Sequence, residues 1–150
     1  MLKRVLIPTD GSETAGKALH FASQLLERSG CRIVLLSVVE EPVYSTLWSD
    51  GLIAPEVVVP PPHVLREKLE EQASSVLEEA ARHLREAGID AEIKVRFGHP
   101  AGEILQELEE GDYDLVVVGS HGHGPLRGLL LGSVSNRVAQ HAPCPVLIVR

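Results

Sequence analysis

The sequence is poor in aromatic residues, in cysteine and in basic charge, and each shortage excludes something. Phe, Trp and Tyr make up only 3% of the 150 residues, so the core must be aliphatic and alanine-rich, and the 44% hydrophobic content is enough to build one. Fourteen Lys and Arg against 21 Asp and Glu leave a formal charge of −7, which argues against nucleic acid as a partner, because phosphate backbones need clustered cations. No apolar run approaches the ~20 residues that cross a bilayer. The opening MLKRVLIP is too short for a signal sequence. Two cysteines and no export signal point to the reducing cytoplasm. No repeat or low-complexity tract divides the chain, so one domain over residues 1–150 is expected.

Four short runs rich in Val and Ile read as strands buried on both faces: Arg4 to Pro8, Arg32 to Val38, Asp114 to Gly119 and Pro145 to Val149. A fifth, Ala91 to Phe97, alternates apolar and polar residues, as an edge strand with one wetter face would. Helical patterns separate them. Ser12 can cap a helix carrying Ala15, Ala18, Leu19, Ala22, Leu25 and Leu26, with Gly30 as its stop. The acidic segment after Pro62 places Leu65, Leu69, Ala73, Val76, Leu77, Ala80 and Leu84 on one stripe, and its charges read as the solvated side. Pro100 can open a third helix with Ile104, Leu105 and Leu108, and Ser133 a fourth with Val134, Val138 and Ala139.

Strict alternation of strand and helix predicts an α/β fold, a doubly wound five-stranded parallel sheet with helices on both faces. Strand orders 3-2-1-4-5 and 2-1-3-4-5 both satisfy the pattern. The first makes strands one and four neighbours at the point where winding reverses, and ligands bind outside the carboxyl ends there. The loops that would meet are PTDGS after strand one and GSHGHGPLRGLLLGS after strand four, the two most loaded in the sequence. That coincidence favours 3-2-1-4-5.

The second loop has five glycines in fourteen residues and no lysine. The P-loop pattern, GxxxxGK followed by Ser or Thr, is absent, and PTDGSET stands after strand one where a dinucleotide fold would carry GxGxxG. A lysine is dispensable for binding. The N–H groups and dipole of a helix opening at Ser133 attract an anion, and Ser133 and Ser135 add hydroxyl donors.

Gly119-x-x-Gly122, nine residues, then Gly132-Ser133 resembles the ATP-binding signature of the universal stress protein family. PTDGSETA, LLSVVE and PCPVLIV are similar to the same family, so the resemblance spans nearly the whole chain. It implies the 3-2-1-4-5 sheet and an ATP site. Pro8, Thr9 and Asp10 would line that site, with Asp10 near the phosphates or their magnesium. Val38 would meet adenine through its backbone. Gly119 and Gly122 would cradle ribose and phosphates with His121 and His123 close by, and Gly132, Ser133, Val134 and Ser135 would hold phosphate oxygens. The resemblance further implies a nucleotide-dependent regulatory or stress-response protein rather than an enzyme, and a homodimer through the C-terminal strand. An interaction scaffold with a vacant pocket, or one holding another anion, is the alternative.

Other features carry less. Glu41 to Pro62 is long for a linker, and its Tyr44 and Trp48 would either cover a base or pack the loop onto the surface. His121 and His123 have no third ligand in their own loop, and a zinc site would need His99 or Asp10 to join them across the site. Cys31 and Cys144 precede strands three positions apart, about 14 Å, too far for a disulfide. For phosphoryl transfer only Arg127 and the loop histidines offer cationic help, and no general base is evident.

Overall fold

All five runs are strands: β1 (Arg4–Pro8), β2 (Arg32–Val39), β3 (Ala91–Phe97), β4 (Leu115–Gly119) and β5 (Val146–Val149). Between them lie α1 (Glu13–Leu26), α2 (Pro62–Glu86), α3 (Pro100–Glu110) and α4 (Ser133–His141). The computed structural model describes residues 1–40, 60–122 and 131–150. Every strand pair is parallel, in the order β3-β2-β1-β4-β5. This is the doubly wound order favoured above.

The period of two along each strand divides the core. Val5, Ile7, Ile33, Leu35 and Val117 face α1 and α2, whose Ala18, Leu19, Ala22, Leu77, Ala80 and Leu84 complete that layer. Leu6, Val34, Leu36, Val116 and Val118 face α3 and α4 through Ile104, Leu108 and Val138. With both faces covered, the interior positions of the central strands are apolar on both sides apart from the buried Ser37 of β2, which is why their sequences show no alternation.

The helix signals act with small shifts. Ser12 accepts a hydrogen bond from the Ala15 N–H at 3.3 Å, as an N-cap does. α1 then stops at Leu26, before Gly30, and the chain leaves through a turn in which Arg28 and Gly30 both have positive φ, 71° and 68°. In α2 the buried stripe is Ala73, Leu77, Ala80, Ala81 and Leu84, while Leu65 and Leu69 are only half-buried. Length accounts for this. Twenty-five residues at about 1.5 Å each make a helix of roughly 37 Å. The seven residues of β3, at about 3.3 Å each, span roughly 23 Å. The first turns of α2 therefore overhang the carboxyl edge of the sheet.

β3 is an edge strand, but beyond the exposed Glu92 its polar face turns to a helix and not to water. Lys94 and Arg96 lie against α3, where they meet a Glu107 that is only 3% exposed. Lys94 Nζ lies 2.8 Å from Glu107 Oε1 and Arg96 Nη1 2.9 Å from Oε2, and the Tyr113 hydroxyl donates to Oε1 at 2.6 Å. The exposed residues of the strand are Glu92 and the apolar Ile93.

Candidate functional site

The reversal of winding between β1 and β4 brings their loops together at the carboxyl edge. After β1 the Thr9 N–H donates to the Leu36 carbonyl at 2.8 Å, and Asp10 Oδ1 accepts the Ser12 N–H at 2.9 Å, which fixes the carboxylate at the entrance to α1. After β4 the Ser120 N–H donates to the Val149 carbonyl, and the Gly132 N–H returns to the Ser120 carbonyl at 2.6 Å. The loop is thus closed at its neck. The Thr14 hydroxyl donates to the His121 carbonyl and ties the two loops through the first turn of α1.

These loops, the end of β2, the overhanging part of α2 and the start of α4 enclose a cleft of about 770 Å³. Pro8, Thr9, Asp10, Val38, Gly119, His121, Gly122, Gly132, Ser133, Val134 and Ser135 all line it. His123 lies outside the described residues, as do Arg127, Tyr44 and Trp48. Sequence reasoning missed the wall formed by Leu69, Gln72, Ala73 and Val76 of α2 and by Pro100 and Ile104 of α3. A second cavity, about 690 Å³, opens at the opposite edge beside Arg28, Cys31, Arg32 and Asp90, and holds none of the expected site residues. Cys31 and Cys144 are both free and half-buried.

Among the described glycines, positive φ occurs at Gly11, Gly30, Gly88 and Gly98, and at none of Gly119, Gly122 and Gly132. These three are instead crowded by the chain itself, Gly119 most severely, because its neighbours are backbone. A Cβ on Gly119 would stand 2.7 Å from the Thr14 carbonyl carbon, and one on Gly122 would stand 2.7 Å from Asp10 Oδ2. On Gly132 it would meet the Ser120 oxygen at 3.2 Å and the His121 α-carbon at 3.3 Å, so a side chain there presses on the loop itself.

α4 has no side-chain cap, and its first intrahelical bond runs from the Asn136 N–H to the Gly132 carbonyl at 2.9 Å. The N–H groups of Ser133, Val134 and Ser135 precede that bond and make an anion-attracting end on the cleft. The Ser135 hydroxyl is not directed to a ligand; it donates to the Gly119 carbonyl at 2.5 Å. Asp10 and Glu40 are the carboxylates of the lining, and no Lys or Arg lines it among the described residues. Among the described residues backbone dipoles are therefore the main attraction for an anion, and the Asp10 carboxylate works against it. The described residues hold no group of three or more His, Cys, Asp or Glu side chains arranged for a metal. Magnesium asks for less, since it keeps several waters and takes one or two carboxylates together with substrate phosphates. Asp10 fits that role.

These features define a doubly wound α/β domain with an anion-seeking cleft at its switch point. The chain belongs to the universal stress protein family, whose model matches residues 1–150. It is 36% identical over 151 residues to the universal stress protein YxiE of Bacillus subtilis, covering all of both chains. The structure of MJ0577 from Methanocaldococcus jannaschii superposes with a TM-score of 0.81 at 30% identity, over 99% of this chain and 96% of that one. A universal stress protein in complex with cAMP superposes with a TM-score of 0.72 at 26% identity, over 99% and 97%.

Proposed function

We propose that the cleft binds an adenine nucleotide, ATP with magnesium, and that the protein is a cytoplasmic nucleotide-dependent regulator, not an enzyme. One observation carries the reading: Asp10, the loop after β4 and the uncapped start of α4 line a single cleft at the switch point. The cAMP held by a relative of the same fold supports the ligand class. Phosphate oxygens would take the N–H groups of Ser133, Val134 and Ser135 and the Ser133 hydroxyl. Asp10 would hold the magnesium, which would supply the positive charge that offsets the carboxylate's repulsion of phosphate. Charge-assisted hydrogen bonds contribute about 1.5–3 kcal/mol each, so three or four approach the ~8 kcal/mol of micromolar affinity. No group in the described cleft is placed as a base beside a cationic stabiliser, so hydrolysis would be slow.

Calorimetry with ATP, with and without magnesium, tests the assignment. Gly132→Val is a poor probe, because its side chain would distort the loop. Ser133→Asp is a better one. A carboxylate in the first turn of α4 favours the helix dipole by about 0.3–1 kcal/mol while repelling phosphate. Affinity should fall about tenfold or more with no loss of thermal stability. Unchanged affinity would remove the phosphate assignment. Turnover of about 1 per second or faster, abolished by Asp10→Ala, would make the protein an enzyme.

A second reading, an interaction scaffold with a vacant pocket or another anionic ligand, is favoured by the carboxylates of the lining. It predicts no ATP binding even with saturating magnesium. Under either reading we infer a homodimer formed through β5, whose four residues lie half-exposed at the edge of the sheet.

A further inference from the structure

The stripe along α2 serves two surfaces. Leu77, Ala80, Ala81 and Leu84 pack on the sheet, whereas Leu69, Gln72, Ala73 and Val76 line the cleft where the helix overhangs. The latter four follow i, i+3, i+4, i+7 spacing and so share one helix face. Two contacts hold the overhang in place. The Arg66 guanidinium lies 4.2 Å over the ring of Phe97, the last residue of β3. Val76 packs against the loop after β1, so closely that a Cβ on Gly11 would come within 3.1 Å of its methyl. These contacts tie the overhang to the body of the fold as one wall of the cleft.

That wall is apolar except at Gln72, the only side-chain amide among the described residues lining the cleft. Nothing in the core calls for an amide there, since Gln72 is exposed. We propose that Gln72 is a specificity-determining residue that reads the edge of the nucleobase while its apolar neighbours cover the ring. The inference rests on the nucleotide reading above. An amide carries a donor and an acceptor side by side, which matches the amino group and adjacent ring nitrogen of adenine. A carboxylate in its place offers acceptors alone. It would oppose the adenine ring nitrogen and suit the adjacent N–H donors of guanine.

The test compares ATP, GTP and inorganic tripolyphosphate, each with magnesium, on the unmodified protein, Gln72→Leu and Gln72→Glu. The unmodified protein should prefer ATP. Gln72→Leu should lower the ATP:GTP affinity ratio about tenfold, the size of a lost bidentate base contact. Gln72→Glu should lower it further or invert it. Tripolyphosphate has no base, so its affinity should be the same in Gln72→Leu and the parent, and in Gln72→Glu it measures any effect of the added charge. An unchanged ATP:GTP ratio in both variants overturns the role of Gln72 and leaves the phosphate site standing. Failure of the unmodified protein to bind both ATP and tripolyphosphate overturns the two together.

Discussion

The two edges of the sheet hold the same topological position and meet water in opposite ways. At β3, Lys94 and Arg96 reach across to Glu103, Glu107 and Glu110 of α3, and the charged face is sealed by the chain's own helix. At β5, Val146 to Val149 carry no charge and are half-exposed throughout. Bonds from Glu110 and Glu103 drive the Arg96 guanidinium even further above its ordinary pKa. Burial alone would raise the Glu107 carboxyl, but bonds from Lys94, Tyr113 and Arg96 outweigh it and hold the group below its usual value. Burial and the same carboxylate push the Tyr113 hydroxyl up. Charge on an edge strand discourages pairing with another sheet, and an apolar edge invites it. The contrast teaches that one edge is finished within the chain, whereas the other suits a second copy.

The sharpest way to break the comparison is at β5. The Pro145 and Val149 carbonyls are both taken by β4 and the Ser120 N–H that follows it, so by the two-residue period the main-chain groups of Val146 and Ile148 face outward. Ile148→Pro removes an outward N–H and spares the pairing with β4. It should convert the dimer to a folded monomer in light scattering. A monomeric parent at micromolar concentration would end the dimer proposal. Lysine at Val146 and Ile148 is less clean, because both side chains also pack on the core beside α4.

A smaller effect is expected at the other edge. Glu107→Ala strands Lys94 and the Tyr113 hydroxyl, while Arg96 keeps Glu103 and Glu110, and should cost about 2 kcal/mol in denaturant unfolding, without changing oligomeric state. Its pH dependence sharpens the point. A carboxyl held below its ordinary value of 4.5 contributes stability that is fully present above 4.5 and is lost as pH falls through the lower folded value. The stability gap between the parent and Glu107→Gln should therefore be widest above that value and shrink on acidification. A gap that grows with acid would contradict the network.

The central strands were legible to within a residue or so at their ends because burial on both faces demands an unbroken apolar run. Periodicity along α2 gave the correct face but could not say what covered it, and Leu65 and Leu69 look in sequence like Leu77 and Leu84. Glu107 was illegible. It sits among Glu103, Glu109 and Glu110 in a helix whose sequence marks only Ile104, Leu105 and Leu108 for burial, and its partners are on a strand. The one available signal was Lys94 and Arg96 in alternation on β3, facing carboxylates spaced one helical turn apart. The site residues were assigned from two loops and a resemblance, and the described ones do gather in one cleft. The crowding of Gly119 by Thr14 and of Gly132 by Ser120 was not legible, because only the fold creates those contacts.

Gly119 carries a consequence for how such proteins change over generations. The first turn of α1, not a ligand, forbids a side chain there. Under the proposed nucleotide reading, a duplicated gene whose product had lost that use would still be pressed to keep this glycine. Ser133, exposed at the mouth of the cleft, would be under no such obligation. Divergence should then erode the serine first and leave the glycine as an inherited relic. In a descendant chain, the surviving glycine would testify to ancestry, and only the serine to present use.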